Sequence, residues 1–120
     1  MNLFSHSSII LPVENVKATA EYYRDKLGFA ISFLWKDPPT YAVVNRDDAV
    51  GLHFTTSNHP IKKDDQARLY IFVHDVDKVY KEYQNAGVKI LEPINNTDYK
   101  MREFVIEDIN GYKLVLGKGT

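Results

Sequence analysis

The chain has 120 residues, enough for one compact domain that buries a core unaided and too few for two ordinary domains. Hydrophobic residues make up 44% and charged residues 26% with both signs interspersed, and the formal net charge of −1 leaves no basic surface for nucleic acid or an anionic membrane. Cysteine is absent, which excludes disulfides, thiolate catalysis and cysteine-bound metals together.

The opening, MNLFSHSSIILPV, lacks a basic stretch and a small-residue cleavage site, so no signal peptide is read there. Its apolar run is strand-length, far below the ~20 residues of a membrane-spanning helix, and a cytoplasmic protein is expected. Ser7 to Val13 suits a buried strand. Asn15 then caps a helix whose apolar stripe is Val16, Ala20, Tyr23 and Leu27, and Gly28 stops it. Three strand-like stretches follow, Phe29 to Trp35, Tyr41 to Asn45 and Val50 to Thr55, separated by the turns KDPPT and NRDDA.

The second half repeats this order. Leu69 to Val73 is the strand, Asp75 the cap, Val76, Val79/Tyr80, Tyr83 and Ala86 the helical stripe, and Gly87 the stop. Strands are expected at Val88 to Glu92, Met101 to Glu107 and Tyr112 to Leu116, with DINGY as a hairpin turn. Between the halves lies a polar segment containing Pro60, in which Lys62-Lys63 is cancelled by Asp64-Asp65. The fold class is therefore α+β: a single domain of two βαβββ modules, residues 1–56 and 68–120, joined by a linker over 57–67. Two such sheets can curl into a cup with helices outside, its concave surface lined by alternate residues of each strand. A ferredoxin-like α+β sandwich is the competing architecture, and three consecutive strands per half fit it less well.

LPVENVKATAEYYRDKLGF resembles the opening module of the vicinal-oxygen-chelate superfamily, which includes glyoxalase I, extradiol dioxygenases, fosfomycin-resistance enzymes and bleomycin-resistance proteins. FVHDVDKVYKEYQNAGVKI resembles the start of its second module, and REFVIEDINGYKLVL its closing hairpin. Enzymes of this superfamily generally hold a divalent ion with His and Glu at four strand positions. Carried over by counting, these fall on Ser8, His53, Arg68 and Val115. Only His53 is a metal-compatible donor, and an arginine repels the ion. His6, two residues from Ser8, is the one rescue candidate alongside His53; His59 falls in the linker and His74 on the strand face opposite Arg68. Neither a metal nor another cofactor is expected.

Without the ion, the lining supplies the chemistry. Phe33, Trp35 and Tyr41 crowd the second and third strands, His53 shares a face with Gly51 and Thr55, and Arg68 aligns with Tyr70 and Phe72. Aromatic walls bind flat or cationic ligands by stacking and cation–π contact. Arg68 could fix a carboxylate or phosphate, and Glu103 a cationic group. Arg102 and Glu103 are adjacent, so at most one lines the cup. Tyr22, Tyr23, Tyr80 and Tyr83 lie on helices at core spacing and read as packing.

SFLWKDPPTYAVV and MREFVIEDINGYKLVL bring the chain closest to the metal-free bleomycin-resistance-type proteins. That resemblance implies an antibiotic-resistance homodimer that sequesters a small organic ligand, aromatic or cationic, in clefts made by both subunits. The candidate ligand-binding residues are Phe33, Trp35, Tyr41, His53, Arg68, Tyr70 and Glu103; none is assigned a catalytic role. Such proteins carry a strongly acidic surface, and a net charge of −1 departs from it, so the resemblance speaks to architecture and binding mode rather than ligand identity. The alternatives are a glyoxalase-type lyase or isomerase, or a dioxygenase, with a metal near His53, and a metal-independent catalyst with His53 as general base.

Overall fold

The structure, a computed structural model, describes residues 1–62 and 66–120; Lys63, Asp64 and Asp65 of the expected linker lie outside the described residues. The chain divides into two compact units, Met1–Ile61 and Lys62–Thr120. In the first, the order is β1 (Ile9–Val13), α1 (Val16–Lys26), β2 (Ala30–Trp35), β3 (Tyr41–Arg46) and β4 (Val50–Thr56). In the second it is β5 (Arg68–Phe72), α2 (Val76–Asn85), β6 (Lys89–Asn96), β7 (Met101–Glu107) and β8 (Lys113–Gly119). Each unit is thus βαβββ, and each forms one four-stranded mixed sheet, ordered β1-β4-β3-β2 and β5-β8-β7-β6. The first strand of each unit runs parallel to the last, and the other pairs are antiparallel. Among the described residues no helix is long and apolar enough to cross a membrane.

Capping sets where the helices begin. The Asn15 side-chain oxygen accepts from the Ala18 backbone N–H at 2.9 Å, and Asp75 accepts from Lys78 at 3.1 Å, each satisfying a first-turn donor that has no partner within the helix. Both helices end where Gly28 (φ 80°) and Gly87 (φ 76°) enter the left-handed region that glycine reaches without steric penalty. The next amide then folds back, Phe29 onto the Tyr23 carbonyl at 2.9 Å and Val88 onto the Tyr83 carbonyl at 3.0 Å.

One face of each sheet packs on its helix. In the first unit Val16, Ala20, Tyr23 and Leu27 are buried with Ala42, Val44, Leu52 and Phe54. Tyr23 meets Phe54 and Phe29 with ring centroids 4.9 and 5.5 Å apart. In the second, Val76 and Tyr83 are buried with Phe104, Ile106, Leu114 and Leu116, and Tyr80 and Tyr83 both present edges to Phe104. Tyr22 and Tyr80 are only half-buried, so they flank these cores rather than fill them.

Only β7 keeps the expected bounds; β2, β3, β4 and β5 shift by a single residue at one or both ends, and three strands differ more. β1 starts at Ile9 rather than Ser7, where pairing with Leu52 begins. β6 runs on from Glu92 to Asn96 through Pro93, which an outer strand tolerates because one side of its backbone needs no partner; the register slips between Ile90 and Glu92 and again before Asn95. β8 extends past Leu116 to Gly119, since its glycines still pair with Phe72, Glu103 and Met101. The DINGY turn is closed by Asp108, whose buried carboxylate accepts from the Asn110 and Tyr112 amides at 2.8 and 2.9 Å.

Candidate functional site

Side chains alternate across a strand, so the residues between the core positions line the face of each sheet turned away from its helix. In the first unit that face carries Ile10 and Pro12 of β1, His53 and Thr55 of β4, Tyr41 and Val43 of β3, and Phe33 and Trp35 of β2. Phe33 and Trp35 are 48% and 55% exposed, and their rings stack with centroids 6.4 Å apart and planes 22° apart. Hydrophobic residues of this size are ordinarily covered, and two stacked side by side make a flat apolar platform.

Beside the platform stands a polar pair. The Tyr41 hydroxyl lies 2.6 Å from His53 Nδ1, with the rings perpendicular and centroids 5.5 Å apart. In this hydrogen bond the phenol donates when Nδ1 carries no proton. The register explains it: Tyr41 is opposite Thr55 and His53 opposite Val43, so the two are diagonal neighbours on one face. Asn45, on the same face, donates to Ser32 at 2.6 Å where β2 slips its register.

In the second unit the corresponding face carries Arg68, Tyr70 and Phe72 of β5, Lys113 and Val115 of β8, and Glu103 and Val105 of β7. Arg68 is engaged by Glu92 at 2.8 Å, so its charge is already offset by a neighbour on β6. Lys89 pairs with Glu107 at 2.5 Å. Glu103 is only 7% exposed, and its Oε1 accepts from the hydroxyl of Tyr99, which sits on the β6–β7 turn. The Tyr70 and Phe72 rings lie 4.6 Å apart. Burial, and then the negative charge of Glu103, push the Tyr70 phenol up to about 12. The hydrogen bond to Glu103, and then burial, raise Tyr99 as well. Arg102 takes the other face and holds Asp77 of α2 at 2.8 Å, which lowers that carboxyl below its ordinary range.

Every candidate ligand-binding residue therefore sits on a face turned away from its unit's helix. Phe33, Trp35, Tyr41 and His53 stand together in the first unit, and Arg68, Tyr70 and Glu103 in the second. Sequence reasoning missed Tyr99: it lies in a turn outside any strand pattern, and only its position four residues before Glu103, across a hairpin, hinted at contact. Phe72 was read as aligned with Tyr70 without being given a role.

The four positions that hold a metal in the superfamily's enzymes do not fit one here. Ser8 precedes β1, His53 is bonded to Tyr41, Arg68 is paired with Glu92, and Val115 is a buried hydrocarbon. His6 is exposed and bonded to Ser5. Among the described residues no three His, Cys, Asp or Glu side chains converge as a metal's ligands would.

Two mixed sheets, each backed by one helix and turning a chemically varied face away from it, define a small α+β protein with a repeated βαβββ module. The chain belongs to the Glyoxalase/Bleomycin resistance protein/Dioxygenase superfamily, which it matches over residues 5–116. Solved structures share the fold. One is the bleomycin-binding protein from bleomycin-producing Streptomyces verticillus complexed with copper(II)-bleomycin, at 24% identity, TM-score 0.78 and full coverage of both chains (100% each). Another is an antibiotic binding protein from Streptomyces sp. CB03234, at 20% identity, TM-score 0.80 and 100% of both chains. A superfamily member from Sphaerobacter thermophilus DSM 20745 aligns at 18% identity and TM-score 0.80 over 97% of this chain and 98% of its own. No curated protein matches the chain at a significant level.

Proposed function

We propose that this protein binds a flat organic ligand, aromatic or cationic, on the first unit's open face and holds it without chemical change and without a metal. The observation that carries the reading is the stacked, half-exposed Phe33–Trp35 platform on a sheet whose other face already packs the core. A ring laid on this platform gains stacking and burial on the order of 0.5–1.5 kcal/mol per aromatic contact. Tyr41 and His53 add one donor and one acceptor beside it, which is the apolar wall with a few placed polar groups that small-molecule sites use. The likeness in fold to two antibiotic-binding proteins supports the same direction.

In this reading the protein is a cytoplasmic homodimer, and a second copy completes the cleft over the platform. Ile10, on the same face, is also exposed, giving a partner apolar surface beyond what one ligand covers. Sedimentation at micromolar concentration tests this; a clean monomer removes the two-subunit cleft. A lyase, isomerase or dioxygenase reading lacks the donor set, and the general-base reading has only the Tyr41–His53 pair, with no further polar side chain bonded to His53 among the described residues.

Trp35 is the chain's single tryptophan, so intrinsic fluorescence reports directly on the platform. Titration with metal-free bleomycin and with a panel of flat aromatic cations should quench or shift that emission saturably. Trp-independent binding can be followed in parallel by thermal shift, where a ligand at 100 times its Kd stabilises by about 2.7 kcal/mol. Emission that stays unchanged while a ligand demonstrably binds would remove the platform from the site.

A further inference from the structure

The second unit holds a group that neither the fold nor the platform accounts for. Glu103 is a carboxylate with 7% exposure on the sheet face away from α2, and no cation pairs with it among the described residues. The basic side chains Arg68 and Lys89 on the same sheet are matched by Glu92 and Glu107 instead. A buried carboxylate is ordinarily compensated by a cation or by several donors. The Tyr99 hydroxyl is the one well-formed donor to Glu103.

A second polar group is left over beside it. The Tyr70 hydroxyl is buried and makes no well-formed hydrogen bond, although Glu103 is near enough for its charge and a weak hydrogen bond to act on the phenol. Buried polar atoms nearly always have partners, so an orphan is a signal rather than an accident. Gly117 marks the spot where the two meet: a Cβ there would stand 3.1 Å from the Cβ of Glu103 and 2.9 Å from Tyr70 Cζ, closer still to its hydroxyl. Only a glycine lets the phenol and the carboxylate share this patch of backbone. Two aromatic rings flank it in the open, Phe72 at 73% exposure and Tyr99 at 68%.

From this geometry we infer that Glu103, Tyr70, Phe72 and Tyr99 form a subsite for an organic cation, an amidinium, guanidinium or ammonium borne on an apolar body. One N–H of the ligand donates to the carboxylate and another to the oxygen of Tyr70, while Phe72 and Tyr99 offer their faces to the charge. Tyr99, on a turn, is the residue that shifts to admit it. A metal ion is not the occupant, since one carboxylate and phenols are too few oxygens for a hard cation. The inference stands independently of the platform in the first unit.

Benzamidine, with neutral benzamide as its isostere, tests it on the full-length protein by amide chemical-shift titration. Benzamidine should move the Gly117 and Glu103 amides saturably and bind about tenfold tighter than benzamide, the difference a charge-assisted hydrogen bond makes. Glu103→Gln should erase that preference. Equal affinity of the two probes, or a preference that survives in Glu103→Gln, overturns the subsite. Should that variant fail to fold, the wild-type shifts alone decide: perturbation confined to residues of the first unit overturns it. Benzamidine that quenches Trp35 yet leaves Gly117 unmoved supports the platform and refutes this site; the converse result supports this site and leaves the platform to its own titrations.

Discussion

The two units share an element order and present different chemistry on the faces turned away from their helices. The first offers a half-exposed aromatic pair with a phenol–imidazole hydrogen bond beside it. The second offers a buried acid, an unpartnered phenol and two exposed rings around a glycine. Their helix-facing sides both set helix tyrosines on a sheet phenylalanine, Tyr23 on Phe54 of β4 and Tyr80 and Tyr83 on Phe104 of β7. The lesson is that the repeated module keeps the kind of packing while the strand that supplies it, and the chemistry facing outward, differ.

The largest test of that contrast is in the cores. Phe54→Ala and Phe104→Ala should each destabilise by about 3–5 kcal/mol in denaturant unfolding, whereas Trp35→Ala should stay within about 0.5 kcal/mol. A large loss from Trp35→Ala would make the platform a packing element and break the division between faces. Next comes a comparison of glycines. Gly117→Ala forces a methyl into Tyr70 and should lose about 1–3 kcal/mol. Gly51→Ala should lose less, because its nearest atoms, Asn45 Oδ1 at 2.8 Å and Ser8 Oγ at 3.2 Å, end side chains that can swing aside.

The caps measure how alike the modules are locally. Asn15→Ala and Asp75→Ala should each lower stability by about 1 kcal/mol, and thermal melts showing one cap to be worthless would mark a real asymmetry. The smallest effect belongs to Tyr70→Phe. Removing an unpartnered hydroxyl should leave stability unchanged or raise it by up to about 1 kcal/mol at neutral pH. The pH dependence has a definite sign. With a folded-state pKa near 12 against 10.0 ordinarily, the unfolded chain ionises first, so the contribution is complete below pH 10 and fades as pH climbs towards 12. Ultraviolet titration should show one fewer late-ionising tyrosine in Tyr70→Phe, with Tyr99 and Tyr112 still raised, and an unchanged titration curve would contradict its burial beside Glu103.

Much of the architecture was legible because punctuation and periodicity are local. Asn15, Asp75, Gly28 and Gly87 mark helix ends through hydrogen bonds and φ angles within a few residues, and the stripes Val16–Leu27 and Val76–Tyr83 follow from helical spacing. The strand ends were less legible: Pro93 and Gly117 look like breakers, and only their place in the sheet, on an outer strand or paired to a neighbour, keeps them within strands. For the site, period-two alternation was enough to put His53 with Thr55 on one side of β4 and Phe33 with Trp35 on one side of β2. It could not tell that Tyr41 reaches His53, or that Glu92 would claim Arg68, since those contacts depend on register between strands distant in sequence. The burial of Glu103 and the reach of Tyr99 depend on a turn's conformation, which no pattern encodes.

Pro93 in β6 also bears on how the protein behaves at high concentration. An outer strand normally presents a row of free amides that a strand from another molecule can join, the first step of fibril growth. On β6, the pyrrolidine ring and the two register slips interrupt that row, so this edge of the second unit's sheet is guarded against such addition. β2, the corresponding strand of the first unit, has one slip, no proline and two exposed aromatic rings. Of these two edges, β2 rather than β6 should therefore seed aggregation, and a charged residue in place of Leu34 is the change that would suppress it there.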